Sequence, residues 1–422
     1  MRLGHQLRSW GIPAMYAGGA LAAGLTLPRI EGQLFPDLVS PMSIGGATAI
    51  YSSIASGMIA LTGIVFSMAF VMVQFGATAY SPRLVLWVSR DPVMTHALGI
   101  FTGTFLYAIA ALASVDRNGS GQVPALSLWL VVSWLVASVA MLIALIKRIS
   151  SLQVTRMLAF IGDQGRQVIA STYPSAIAAP AAAAAEDFRA RPRTQTLQHR
   201  GSPYAIQAVD VEALVSLATS AGGVIELVVA VGDTVVESMP LLHVFGAQRL
   251  IEERSLLEGI EIGEARTFEQ DPKYPLRLLV DIAIRALSPA INDPTTAAQA
   301  LDQIEDLLLR LGRRDLAIGS FRDRDGVLRL VMPCPTWDDL LGLAFEEICA
   351  CGGTSMQIMR RMNAVIGDLL PIVPDERRSG LLHWADRIQA IVTRSFAAGE
   401  EQRLASVADR QGLGVPNPPS PE

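Results

Sequence analysis

Residues 39–82 read VSPMSIGGATAIYSSIASGMIALTGIVFSMAFVMVQFGATAYSP, without one Asp, Glu, Lys or Arg. A helix rises ~1.5 Å per residue, so about 20 apolar residues cross the hydrocarbon of a bilayer, and this stretch exceeds that length. In hydrocarbon each backbone amide must be satisfied within its own segment, which leaves helix as the conformation open to it. Working outward, residues 10–27, 44–75, 93–115 and 123–146 meet the length requirement and predict four transmembrane helices in residues 1–150. A basic N-terminus with Arg8 ahead of the first makes a secretory signal the competing reading. No clear small-x-small cleavage site stands between it and the next apolar block, and an uncleaved helix is expected.

Composition agrees that one part of the chain lives in lipid. Of 422 residues 51% are hydrophobic and 17% charged, with a mean hydropathy of +0.37. The apolar excess is local, since residues 302–325 are dense in Asp, Glu and Arg. A net charge of -5 gives no general electrostatic reason to bind nucleic acid. Under four spans Arg2, Arg8, Arg83, Arg90, Lys147, Arg148, Arg156 and Arg166 share one side, against Arg29 and Arg117 on the other. Cytoplasmic loops retain Lys and Arg, so both termini are expected in the cytoplasm of a bacterium, the chain crossing its inner membrane several times.

The second span also carries a pattern. At ~100° per residue, Ala49, Ser52, Ser56, Ala60, Gly63, Ser67, Gln74 and Thr78 point one way, and Ile54, Met58, Leu61, Val65 and Met72 the other. Two readings stand. Small residues let helix backbones approach in lipid, or the polar edge lines a hydrated pathway shared between subunits. No span holds a buried Asp, Glu, Lys or Arg, which argues against an ion-coupled pump and leaves a passive pore open. Tyr80, Pro82 and Arg83 mark where this helix leaves the bilayer.

Beyond residue 150 a helical extension leads into an Ala/Pro/Arg run through residue 200, read as a flexible basic linker with anionic lipid headgroups as the further partner its arginines suit. Residues 201–250 predict a helix at 211–221 and strands near 224–231 and 241–244. Between them, residues 231–241 (VGDTVVESMPL) resemble the tight turns of lipoyl- and biotinyl-type domains. No lysine lies in this region before Lys273, so a small β-barrel-like subdomain for assembly is expected and no cofactor.

Residues 251–415 read as an α+β domain. In it, 266–272 (RTFEQDP) and 278–297 (LLVDIAIRALSPAINDPTTA) supply Asp271-Pro272 and Asp293-Pro294, each a capping carboxylate before a proline suited to the first helical position. Glu269 precedes the first pair, and Asn292 closes the connection that begins at Ser288. Arg277, Asp281 and Arg285 recur every fourth residue, a ladder that braces a surface or binds an acidic ligand. These motifs, with the four-span start and the Ser-Pro-Arg exit, resemble the bacterial predicted membrane proteins grouped as domain of unknown function 2254. The resemblance covers most of the chain and carries no catalytic residue onto it.

Farther on, Leu316–Phe321 and Val327–Met332 read as a hairpin about Asp325-Gly326, followed by helices at 337–349, 355–369 and 377–394, and residues 416–422 as a disordered tail. Cys334, Cys349 and Cys351 lack metal-site spacing, and the five histidines stand singly, so no metal site is expected. The chain contains no Gly-x-Ser-x-Gly, no phosphate-binding Gly-Lys loop and no Gly-x-Gly-x-x-Gly after a strand, and no enzyme is expected. A homo-oligomeric passive channel with a cytoplasmic gating or assembly region is the leading expectation. A membrane-anchored sensing or scaffolding module is the other.

Overall fold

The structure, a computed structural model, describes residues 3–35, 40–79, 92–115, 123–150, 154–177 and 187–414. The chain divides into two compact units, Met1–Gln153 and Val154–Glu422.

The first unit is helical: α1 (Leu3–Leu34), α2 (Ile44–Ala79), α3 (Pro92–Leu112) and α4 (Ala125–Ser150). By length and hydropathy, three described segments suffice to cross a membrane, Ile44–Met68, Pro92–Leu112 and Ala125–Lys147. The expected first span is present as a helix, but it does not reach that threshold. Pro13, Pro28, several glycines, Arg29 and Glu31 dilute its hydropathy. Small residues bring it close to α3, where a Cβ at Gly99 would press into the Tyr16 ring and one at Gly24 would meet Ala110. Tyr51, Ile54, Ala55, Met58 and Val65 of α2 are buried with Phe101 and Tyr107 of α3 and Val131 of α4.

The second unit opens with α5 (Val154–Thr172), followed by a 3-10 turn at Phe188–Ala190 and strand β1 (Arg193–Gln198). The run read as a basic linker up to residue 200 therefore contributes a strand, because Arg193–Gln198 finds an edge to pair with on the later strand Pro240–Phe245. Next come β2 (Tyr204–Val209), α6 (Val211–Ala221), β3 (Val224–Leu227), β4 (Thr234–Val235), β5 (Pro240–Phe245), α7 (Glu253–Glu258) and β6 (Ile260–Gly263). Asp210 starts α6 by accepting from Ala213 N, and Gly222, at φ 70°, ends it in a conformation that favours glycine.

The expected β-barrel is corrected. β3 and β5 join a five-stranded sheet of order β1-β5-β3-β8-β7, while β2 pairs with β4 and β6 in a separate three-stranded sheet. Neither sheet closes, because β3 takes β8 (Leu328–Val331) as a parallel neighbour from about a hundred residues on. The tight turns of residues 231–239 are present, with Gly232 at φ 90° and Ser238 at φ 65°. The hairpin is also present, β7 (Ser320–Arg322) pairing antiparallel with β8. Asp323 holds its turn by accepting from Asp325 N and Val327 N. Leu214 and Ala218 of α6 share one core with Ile206 of β2, Ile225 of β3, Val235 of β4, Leu242 of β5 and Leu330 of β8.

The remaining helices are α8 (Lys273–Ala286), α9 (Pro294–Leu311), α10 (Trp337–Gly352), α11 (Met356–Leu369), α12 (Asp375–Ser395) and α13 (Glu400–Ala405). α9 packs against α8, α5 and α11, burying Leu301, Ile304, Leu307 and Leu308 completely. Each such aliphatic side chain contributes roughly 1.5–3 kcal/mol. Thr336 and Asp339 form a reciprocal capping box at the start of α10.

Candidate functional site

α2 lies in its bundle the opposite way round from a helix sorted by lipid solubility. Its bulky edge, with Ile54, Met58 and Val65, points inward. Ser56, Gly63 and Ser67 are exposed and Ser52 is half-buried. Cβ atoms built at Gly57 and Gly63 would meet nothing within 4 Å. Among the described residues the small edge from Ser56 to Ser67 is thus left uncovered by the other helices of its own bundle. Oily rows flank it, with Ile59 57% and Phe66 64% exposed on one side and Ile64 56% on the other. Phe70, 66% exposed, falls near the azimuth of Ser52 and interrupts the polar edge. The side chains of Gln74 and Thr78 lie outside the described residues, as do Tyr80, Pro82 and Arg83 altogether.

One buried acid lies just beyond the end of the expected first span, where sequence reasoning assigned it no role. α1 continues past residue 27 to Leu34 and carries Glu31 into the interior, 2% exposed. Its Oε1 accepts from Leu126 N at 2.7 Å and its Oε2 from Ser127 N at 3.1 Å, so the carboxylate satisfies the free amides at the start of α4. Around the same serine, Tyr51 donates to Ser127 Oγ at 3.1 Å. The Tyr107 hydroxyl stands 2.9 Å from that Oγ and donates to the Ser127 carbonyl at 3.2 Å. All four helices meet in this knot. The available sequence signal was a lone acid one turn past an apolar run, in a chain where a later helix starts without a capping residue of its own. Elsewhere in the bundle Thr104 of α3 and Ser138 of α4 share a buried hydrogen bond of 3.0 Å, and the Tyr16 hydroxyl lies 3.3 Å from His96 Nδ1.

In the second unit the 266–293 block is a structural joint. Asp271 is 1% exposed. Arg266 donates Nε to its Oδ2 at 2.7 Å, with Nη2 2.6 Å from the same oxygen, and lies over the Tyr274 ring. Burial pushes the Asp271 carboxyl above its ordinary range, against the pull of Arg266 and Lys273. Asp271 Oδ1 also accepts from Lys273 N. The expected cap is shifted by one residue: Pro272 itself stands at the N-cap of α8, and Asp271 bonds the amide of the first helical residue from one position further back. Gly232 comes so close that a Cβ there would collide with Asp271 Oδ2, which ties the 231–239 turns to the start of α8. Glu269 is exposed and takes no part in this seat.

Asp293 caps α9 as expected, accepting from Thr296 N at 3.1 Å, with Pro294 at the first turn and Asn292 at φ 49° before it. The four-residue ladder turns inward onto α10. Arg277 bridges Asp281 at 2.7 Å and Glu347 at 2.8 Å, and Arg285, half-buried, sits two turns on. Those contacts satisfy the ladder from within the chain, as bracing does.

Sequence reasoning also passed over Arg361 of α11, 3% exposed, which pairs with Asp302 at 2.9 Å and with Glu305, both of α9. Burial raises the Glu305 carboxyl despite that partner. Two further sets complete the bracing: Arg166 of α5 with Asp306 at 2.8 Å, and the buried Arg377, whose guanidinium donates to the carbonyls of Leu311 and Arg314. Of the basic run, Arg189 pairs with Glu226 and Arg200 with Glu253. Among the described residues no group of three or more His, Cys, Asp or Glu is placed to hold a metal ion. Burial pushes the Cys349 thiol up to about 12.

The family profile described as "Predicted membrane protein (DUF2254)" matches residues 6–368. Among curated proteins the chain is similar to the uncharacterised proteins Mb1321c of Mycobacterium bovis and Rv1290c of Mycobacterium tuberculosis. Each is 27% identical over 431 residues, spanning 97% of this chain and 82% of the relative. No solved structure matches.

Proposed function

Since the chain belongs to the DUF2254 family of predicted membrane proteins, we propose that it is a non-enzymatic, four-span protein of the bacterial inner membrane whose copies associate about α2 to enclose a passive pore. In this reading the second unit is cytoplasmic and serves assembly or gating. The count of four rests on α1 accompanying α3 through its depth. Tyr16 lies against Gly99 and Gly103, Gly24 against Tyr107 and Ala110, and Glu31 reaches the start of α4. An even number of crossings then returns the second unit to the arginine-rich side.

The observation that carries the pore is the reversed seating of α2. Serine and glycine facing lipid while isoleucine, methionine and valine face the interior gains nothing by partition, so the outward edge is suited to a second copy or to water. The test is ion flux through the purified full-length protein in planar bilayers, with its subunit number measured in detergent. The expected result is a cyclic oligomer that conducts, and a Ser67→Phe variant of the same subunit number that conducts at least tenfold less. A monomeric, non-conducting protein sinks the proposal. So does a Ser67→Phe variant that loses its oligomer, and either result leaves a membrane-anchored scaffold as the better account.

A further inference from the structure

We propose that the Glu31–Ser127 knot is a rotational lock on α2: the Tyr51–Ser127 bond sets which edge of that helix faces out, and its release turns α2 about its own axis. The consequence for flux rests on the pore reading above; the rotation does not, and is measured without flux.

Three observations lead there. First, among the described side chains the bond from Tyr51 to Ser127 Oγ is the only side-chain hydrogen bond joining α2 to another helix. Its other side-chain bond, from Thr62, returns to its own Met58 carbonyl. The remaining inward contacts, Ile54, Ala55, Met58 and Val65, are apolar. Between helices in lipid such contacts gain nothing from the hydrophobic effect and choose an azimuth only by fit. Second, the uncovered half of α2 leaves room to turn, since Gly57 and Gly63 meet nothing within 4 Å.

Third, the anchor is itself held. Ser127 is 1% exposed, with its amide bonded to Glu31 Oε2 and its hydroxyl and carbonyl engaged by Tyr107. Tyr51, 1% exposed, is thereby tied to a point that α1, α3 and α4 fix together. The polar edge begins next door at Ser52 and continues through Ser56, Gly63 and Ser67, so a turn of α2 moves all of it. The titratable groups in the knot are Glu31 from α1, Tyr51 from α2 and Tyr107 from α3, with Ser127 from α4.

Nitroxide probes at Ile59→Cys and Ile64→Cys report the rotation, because these positions stand on opposite borders of the exposed edge and are almost equally exposed, 57% and 56%. The full chain is used in lipid nanodiscs with Cys334, Cys349 and Cys351 replaced by Ala. Tyr51→Phe is expected to make one probe less mobile and the other more, with Glu31→Gln doing the same more weakly through Ser127. Ser138→Ala, which removes a buried bond between α3 and α4 outside the knot, is expected to leave both probes unchanged. Spectra that do not respond to Tyr51→Phe or Glu31→Gln overturn the lock. Equal gains in mobility at both positions, or the same response to Ser138→Ala, overturn it as well, since those mark general loosening. A wild-type protein that never conducts, with probes that respond as described, removes the pore and leaves the lock.

Discussion

The two units of this chain are stabilised by different means. The second is laced with ion pairs between helices, Arg361 to Asp302 and Glu305, Arg166 to Asp306, and Arg277 to Glu347, and its largely apolar interior also takes in Arg361, Asp271 and Arg377. In the first, described interhelical polar contacts include the Glu31 knot, Thr104 with Ser138, and Tyr16 with His96. Water makes the difference. Where helices pack from water, area buried supplies the driving force, and charges can be carried into the packing surfaces when a partner is waiting for them. Where they pack from lipid, close fit and a few directional bonds must suffice.

This contrast is broken most severely at Arg361. Arg361→Ala removes a buried guanidinium and leaves the half-buried Glu305 carboxylate without its partner, and is expected to cost about 3 kcal/mol, read as a lowered Tm of the full-length protein in detergent. A near-normal Tm would mean that the second unit does not depend on its ion pairs. The matching change in the bundle is Ser138→Ala. It removes an equally buried bond, yet it is expected to cost only about 0.6 kcal/mol, because helices separated in lipid find other partners. A loss as large as that of Arg361→Ala would remove the distinction between the units.

The smallest effect is a slope. Burial works against the Asp306 carboxylate, but bonds from Arg310 and Arg166 prevail and hold it below its ordinary range. A carboxyl depressed in the folded state contributes stability that is present above its unfolded value, ~4, and is lost as pH falls through the folded value. Asp306→Asn is therefore expected to lower Tm modestly at pH 7, where that contribution is present, and to flatten the decline of Tm below about pH 4, where wild type loses it. An unchanged acid limb would show that these arginines do not act through Asp306.

Much of this was legible in sequence where the signal was local. The helix at 211–221, the turn at Asp325-Gly326 and the Asp293-Pro294 start of α9 are written in caps, glycines and prolines within a few residues of one another. The reading failed where partners come from far along the chain. Residues 201–250 look like one small barrel because their turns are local, but β8 arrives from residues 328–331 and β1 from 193–198, and these open the strands into two sheets. The candidate site divides in the same way. The stripe on α2 followed from a ~100° helical wheel, whereas its outward direction did not, for the wheel cannot tell lipid from core when both are apolar.

By itself, then, the sequence determined that residues 39–82 hold a segment long and apolar enough to cross a membrane, because the run is uncharged throughout, and that an α/β region follows. Tertiary structure alone decided which edge of α2 is left bare, how Glu31 comes to cap a helix some 95 residues away, and which arginines are buried. Each of these depends on the geometry between distant segments. Periodicity and capping report only on near neighbours.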